Sequence, residues 1–271
     1  MGPPVAGLRN APAAADTRPV RIDLNADLGE SFGSWRMGED QTLLELVSSA
    51  NIACGFHAGD PLTMTETVAA AIERGAVIGA HVSYRDLVGF GRRFVDAAEA
   101  ELRADVLYQL AALDGMCRAA GGRVAYVKAH GALYHAAGRH APHARAVAAA
   151  VAAYDPSLTI LGMPGALLLE LAQERGLATA TEAFADRGYR ADGALVPRSE
   201  PGALLHDPAQ VAARVVGLAQ RGQLTSVDGA PVAVLADSVC LHGDTPGAVD
   251  IARAVRRALD DAGVVVRGFV R

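Results

Sequence analysis

Clusters of titratable side chains punctuate this sequence, each placed just after a short strand-forming run. The first is Asp23-Leu24-Asn25-Ala26-Asp27, followed by Glu30. On an extended strand Asn25 and Asp27 share a face. With Glu30 close by, the two carboxylates can divide acid and base roles or bind a cation together. Turn formation by Asx residues is the competing account of the same segment. The second cluster, Asn51, Cys54, His57 and Asp60, lies in SANIACGFHAGDP. His57, on a glycine-rich loop, suits an acid, a base or a ligand. Cys54 reads as a small buried thiol rather than a nucleophile. Asp60-Pro61 has the form of a helix N-cap and first helical residue.

Lys128 and His130, in VKAHGALY, project to one side of a regular strand. A lysine inside an apolar strand is costly unless paired, so Lys128 is expected to meet Asp27, Glu30 or Glu182. His81 ends another strand, and Arg92-Arg93 on the loop beyond it can hold an anion in planar, bidentate fashion. Glu182 interrupts a further apolar run. Asp186-Arg187 then open a loop reaching to about Asp207, long enough to be a lid or binding element. The last cluster, Cys240-Leu241-His242-Gly243-Asp244-Thr245-Pro246, repeats the grammar of the second. His135, His140, His143 and His206 fall in loops or near helix starts and are read as surface residues. The ligand spacing is too dispersed to name a metal, and neither H-E-x-x-H nor G-x-S-x-G is present.

The elements that must position these groups are strands alternating with helices. Strands are expected at Val20–Leu24, Ser49–Ala53, Val77–Ala80, Val124–Lys128, Thr159–Gly162 and Ala178–Phe184, then one ending near Leu241, with a short last strand at Val264–Val266. Most read as nearly continuous apolar runs without alternation, as in a parallel sheet buried on both faces. Asp96 and Glu99 form a capping box for a helix over Ala97–Ala119. Asp207-Pro208 and Thr245-Pro246 open two more helices, and Asp228-Gly229 fits a hairpin turn. An open doubly wound sheet and a closed barrel both satisfy this order. The barrel is favoured because no G-x-G-x-x-G or G-x-x-x-x-G-K-[ST] loop opens a helix, and because polar clusters follow nearly every strand rather than one switch point.

The chain has 271 residues, which fits one barrel domain over 20–271 behind an Ala/Pro-rich tail over 1–19. Its net charge of −5 and lack of a basic block argue against nucleic acid or an anionic membrane as partner. No apolar stretch is long enough to cross a bilayer. Three scattered cysteines form no CxxC pair, which fits a reducing cytoplasm.

The segments LNADLGESFG, SANIACGFHAGDP, GAHVSY, DLVGFGRR, VKAHGALY, EAFADRGY, LVPRS and CLHGDTP, in this order, resemble the LamB/YcsF family. The resemblance implies a TIM-like β/α barrel of about seven parallel strands, related to glycoside hydrolase and deacetylase barrels. It implies the A component of an ATP-dependent 5-oxoprolinase, opening 5-oxo-L-proline to L-glutamate together with separate subunits B and C. ATP, with Mg²⁺, is the expected co-substrate. The family pattern carries over to Asn25, Asp27, Glu30, His57, His81, Lys128, His130, Glu182, Asp186, Arg187, His242 and Asp244. Asp27, His57, Lys128, His130 and Glu182 are the expected catalytic groups. Asn25, Glu30, Asn51, His81, Arg92, Asp186, Arg187, His242 and Asp244 are expected to bind substrate. Ala26, Val82 and Ala129 stand where the pattern commonly has Cys, Pro and Pro, and none of these changes removes a titratable group. A metal-dependent amide hydrolase and a substrate-binding subunit without chemistry are the rival readings, and self-association into a homo-oligomer stays open.

Overall fold

The first strand, β1 (Arg21–Leu28), sets the plan of the molecule. Ile22, Leu24, Ala26 and Leu28 enter the main apolar core. Asp23, Asn25 and Asp27 point the opposite way, toward polar partners on other strands. The expectation of unalternating apolar strands is therefore corrected here. The strand does alternate, but its polar face is the inner one.

The computed structural model describes residues 19–243 and 247–270. Most of the expected N-terminal tail, Asp244 and the Thr245-Pro246 helix start lie outside the described residues. After β1 come α1 (Asp40–Leu44), β2 (Ser49–Ala53), α2 (Pro61–Glu73), β3 (Val77–Val82), α3 (Glu99–Ala119) and β4 (Tyr126–Ala129). Then follow α4 (Gly131–Ala137), α5 (Ala141–Tyr154), β5 (Thr159–Gly162), α6 (Leu167–Glu174) and β6 (Ala178–Phe184). The chain continues through α7 (Pro208–Arg221), β7 (Gln223–Thr225), β8 (Pro231–Ala233), β9 (Ser238–Leu241), α8 (Ala248–Asp261) and β10 (Val265–Val266).

β1 pairs with β2 through Asn25–Leu28 and with β9 through Asp23–Ala26. The sheet therefore closes on itself as β1-β2-β3-β4-β5-β6-β9, with every pair parallel. This is the expected TIM-like barrel of seven strands, with helices between them. β10 adds beside Arg21 and Ile22, and β7 with β8 forms the small antiparallel hairpin expected around Asp228-Gly229.

Asp60 caps α2 by accepting from the backbone N–H groups of Leu62 and Thr63, and Asp207 caps α7 by accepting from Ala209. The Asp96–Glu99 capping box does not form. α3 starts at Glu99 without a side-chain cap. The carboxylate that the box requires is taken by Arg145 of α5, whose guanidinium donates to Glu99 Oε2 at 2.7 Å.

At the N-terminal end of the strands the barrel is filled by Tyr126, whose ring lies across Gly79. A Cβ at position 79 would come within 2.2 Å of that ring, so the site requires glycine. Phe269, after β10, packs 4.9 Å from the Tyr126 ring, between centroids, and closes this mouth.

Candidate functional site

At the strands' C-terminal end the barrel opens into a cavity of about 700 Å³. Because successive strand residues alternate faces, the pairing brings Asp27, Asn51, Lys128, Glu182 and Cys240 inward from five different strands. Lys128 is the hub. Its Nζ lies 3.0 Å from Glu182 Oε2, 3.1 Å from Asp27 Oδ1, 3.2 Å from Cys240 Sγ and 3.3 Å from Asn25 Oδ1. The expected carboxylate partners Asp27 and Glu182 are both present. Glu30 is not a partner of Lys128, because it turns to the histidines instead.

Burial lowers the Lys128 pKa, but the carboxylates of Asp27 and Glu182 outweigh it and hold the ammonium well above its usual range. Burial likewise raises Asp27, but His81 and Lys128 overcome it and hold the carboxyl well below the usual range. The floor of the cavity is thus an ion network at neutral pH. Burial pushes the Cys240 thiol up, so it stays protonated despite Lys128. Cys54 is buried, its pKa is raised by that burial, and its thiol faces the Ile52 carbonyl, as expected of a core thiol.

Beside this network lie three histidines and Glu30. His57 Nε2 is 3.1 Å from Glu30 Oε1, and His130 Nδ1 is 3.4 Å from the same oxygen. His130 Nδ1 also faces His81 Nε2 at 3.0 Å, and the His57 and His130 rings stack with centroids 3.8 Å apart. Burial, with the neighbouring histidines, pushes the His57 and His130 pKa values well below their ordinary range. Phe90 covers this group edge-on, and its backbone takes a left-handed φ of 53° that is costly for a bulky residue. In this turn the Phe90 carbonyl accepts from His130 Nε2 at 2.9 Å. Gly91 follows at φ +63°, where a Cβ would meet Ser83, His130 and His57 at 2.3–2.9 Å.

Of the expected site residues, Asp27, Glu30, His81, Arg92, Lys128, His130, Arg187 and His242 line the cavity. Asn25, Asn51, His57, Glu182 and Asp186 are buried behind that surface. Asn51 donates to Asn25 Oδ1 at 2.7 Å and Asp27 Oδ1 at 2.8 Å, and it accepts from Tyr126. Asp186 holds His242 Nδ1 at 2.8 Å. Arg187 spends two guanidinium nitrogens on the carbonyls of Ala203 and Val196, tying down the long loop after β6. That loop brings Leu195, Val196, Pro197 and Arg198 to the cavity wall, as its length suggested. Arg93 is drawn out to the surface by Asp86.

Sequence reading missed several contributors. His135 and His140 line the cavity and His143 is fully buried, bonded to the Tyr84 hydroxyl at 2.7 Å, so these three are not simple surface residues. His135 sits in the last turn of α4 and His140 at the start of α5, and these two helices carry both rings to the cavity wall. Cys240, Tyr134 and Phe184 also surround Lys128 or the cavity. Their apolar character hid them. Two convergences of ligand atoms stand out: Glu30, His57, His81 and His130, and Asp27, Cys240 and His242.

A closed parallel barrel with an ionised floor and a basic rim (Arg92, Arg139, Arg187 and Arg198) defines a pocket for a small polar molecule with an anionic group. The LamB/YcsF family model matches residues 22–271, and the chain belongs to this family. It is 56% identical over 248 residues to the A component of the 5-oxoprolinase of Mycobacterium avium, covering 92% of this chain and 98% of that one. It is 54% identical over 248 residues to the first A component of the 5-oxoprolinase of Agrobacterium fabrum, covering 92% and 97%. Among solved structures it matches the lactam utilization protein of Thermus thermophilus with a TM-score of 0.88 at 46% identity, over 91% of this chain and 99% of that chain. No helix among the described residues is long and apolar enough to cross a membrane.

Proposed function

We propose that this chain is the A component of an ATP-dependent 5-oxoprolinase, opening 5-oxo-L-proline to L-glutamate with subunits B and C. The names carried by its relatives at 54–56% identity support the reading. The observation that carries it is the buried ammonium of Lys128 between two carboxylates at the floor of a basic-rimmed cavity.

A lactam carbonyl is a poor electrophile. Transfer of the γ-phosphoryl group of ATP to its oxygen, with Mg²⁺ balancing the phosphate charge, converts that oxygen into a leaving group. Water then adds to the carbon, the ring C–N bond opens to free the amine and leave an acyl phosphate, and a second water displaces the phosphate to give the carboxylate of glutamate. In this scheme the rim arginines hold the substrate carboxylate. Asp27, kept ionised, accepts the proton of the attacking water. Lys128 and His130 stabilise the charge that develops on oxygen. Asn25, Asn51, Glu182, Asp186 and His57 position these groups from behind.

The test mixes the chain with its B and C partners and follows glutamate release, with and without ATP and with each component omitted. Release only in the complete mixture is expected. Release that persists without this chain overturns the reading. A metal-dependent amide hydrolase is the second reading, favoured by the histidine–glutamate convergence, and it requires lactam opening without ATP or partners.

A further inference from the structure

We propose that Glu30, His57, His81 and His130 form a site for one divalent ion of the zinc class at the edge of the cavity floor. Two independent observations carry this. The first is spacing. The four ligand atoms all lie within 4.8 Å of one another, and three of their separations are 3.0, 3.1 and 3.4 Å. A tetrahedral ion with bonds of about 2.0–2.1 Å needs ligand atoms about 3.3–3.4 Å apart. Glu30, His81 and His130 stand close to those separations, whereas the His57 ring, stacked on His130 at 3.8 Å, has to turn for its Nε2 to join them.

The second is hydrogen bookkeeping. His130 Nε2 faces the Phe90 carbonyl at 2.9 Å, and His81 Nδ1 faces the Lys128 carbonyl at 3.3 Å. A carbonyl oxygen only accepts, so both of these nitrogens carry hydrogen. Asp27 Oδ2 also lies 3.4 Å from His81 Nε2, so that nitrogen either carries a proton toward the carboxylate or, with both rings neutral, meets the lone pair of His130 Nδ1 at 3.0 Å. Two lone pairs at that distance repel unless a positive species lies between them. For His81 and His130, a backbone carbonyl fixing the outer nitrogen while the inner one points at a shared centre is the usual setting of a metal-bound histidine; among the described residues His57 Nδ1 has no such partner. Three imidazoles and one carboxylate suit zinc better than magnesium or calcium.

The other convergence, Asp27, Cys240 and His242, already encloses a cation of the protein's own. Lys128 Nζ lies 3.1 Å from Asp27 and 3.2 Å from Cys240. An ion held by the histidines would border the cavity through Glu30, His81 and His130, in place to polarise a carbonyl oxygen. The inference does not rest on the 5-oxoprolinase reading, and its test uses no substrate.

The purified chain is stripped with a chelator and titrated with Zn²⁺ alone, bound metal being measured by equilibrium dialysis. The expected result is one ion per chain with Kd below about 1 μM. His81→Asn and His130→Asn are each expected to weaken binding by about 100-fold or more, whereas His135→Asn at the cavity wall leaves it unchanged. Co²⁺ added to the unmutated protein gives a readout that does not depend on the variants folding, namely the intense visible absorption of a tetrahedral site. Absence of stoichiometric Zn²⁺ binding, weak absorption typical of six-coordinate Co²⁺, or full binding in folded His81→Asn and His130→Asn proteins overturns the proposal.

Discussion

Asp23 and Asp27 lie on one strand, face the same barrel interior and have opposite electrostatic fates. Asp23, at the N-terminal end, is surrounded by hydroxyls. Ser48 and Ser49 each donate to it at 2.6 Å, and Ser238 donates as well. With no cation beside it among the described residues, burial outweighs those bonds and raises its pKa to about 6. Asp27, further along the strand at the cavity floor, has Lys128 and His81 as partners and stays ionised far into acid. Burial is thus not what distinguishes the structural end of this barrel from its reactive end. The difference lies in whether a cation is enclosed along with the carboxylate.

The largest effect is expected from breaking the upper network. Lys128→Met leaves Asp27 and Glu182 buried without their ammonium, and a loss of about 3–5 kcal/mol in urea denaturation is expected. Adding Asp27→Asn to that variant is expected to restore part of the loss. Full stability in Lys128→Met alone would erase the contrast between the two ends.

The lower end gives the opposite sign. A carboxyl whose native pKa lies above its unfolded value favours folding while protonated, so its contribution is complete below about pH 4 and is lost as pH rises through about 6. Asp27 acts the other way, since its contribution is present above about pH 4 and disappears only as pH falls through its depressed native value. Asp23→Asn should therefore remove a declining limb from the stability profile between pH 4 and 6. At pH 7 it should raise stability by about 2–3 kcal/mol, at 1.36 kcal/mol per pKa unit. A profile unchanged by this substitution would show that Asp23 titrates normally.

Gly91→Ala sharpens the comparison without touching a charge. The added Cβ would press on His130 and His57, and the left-handed φ disfavours alanine, so a cost of about 1–3 kcal/mol is expected. Coupled turnover should fall with it, while the pH limb assigned to Asp23 persists. Arg93→Ala is the smallest change. Its guanidinium is exposed, while the buried Asp86 carboxylate keeps the backbone N–H groups of Gly89 and Arg93, so only a slight fall in melting temperature and unchanged turnover are expected.

Much of the frame was legible in the residues. Ser49–Ala53, Thr159–Gly162 and Ala178–Phe184 are strands with the expected bounds, because β-branched and apolar runs stop at glycines and turn formers. Asp60-Pro61 and Asp207-Pro208 start helices because capping is a local interaction. The failed box at Asp96 shows the limit, since a distant Arg145 claimed Glu99. The inner polar face of β1 was also present as the alternation of RIDLNADL. Its direction was not, since alternation alone does not say which face meets the helices.

The sequence by itself determined the βα order, the capped helix starts and which strand ends carry Asp, Glu, Lys and His, because each depends on neighbours within a few positions. Tertiary structure alone decided that Lys128 pairs with Asp27 and Glu182 while Glu30 joins the histidines. It alone placed Asn51 and Glu182 behind the cavity surface and His135 and His140 at its wall. Those outcomes depend on the stagger of seven strands around a closed ring, which brings side chains more than 100 positions apart within hydrogen-bonding distance.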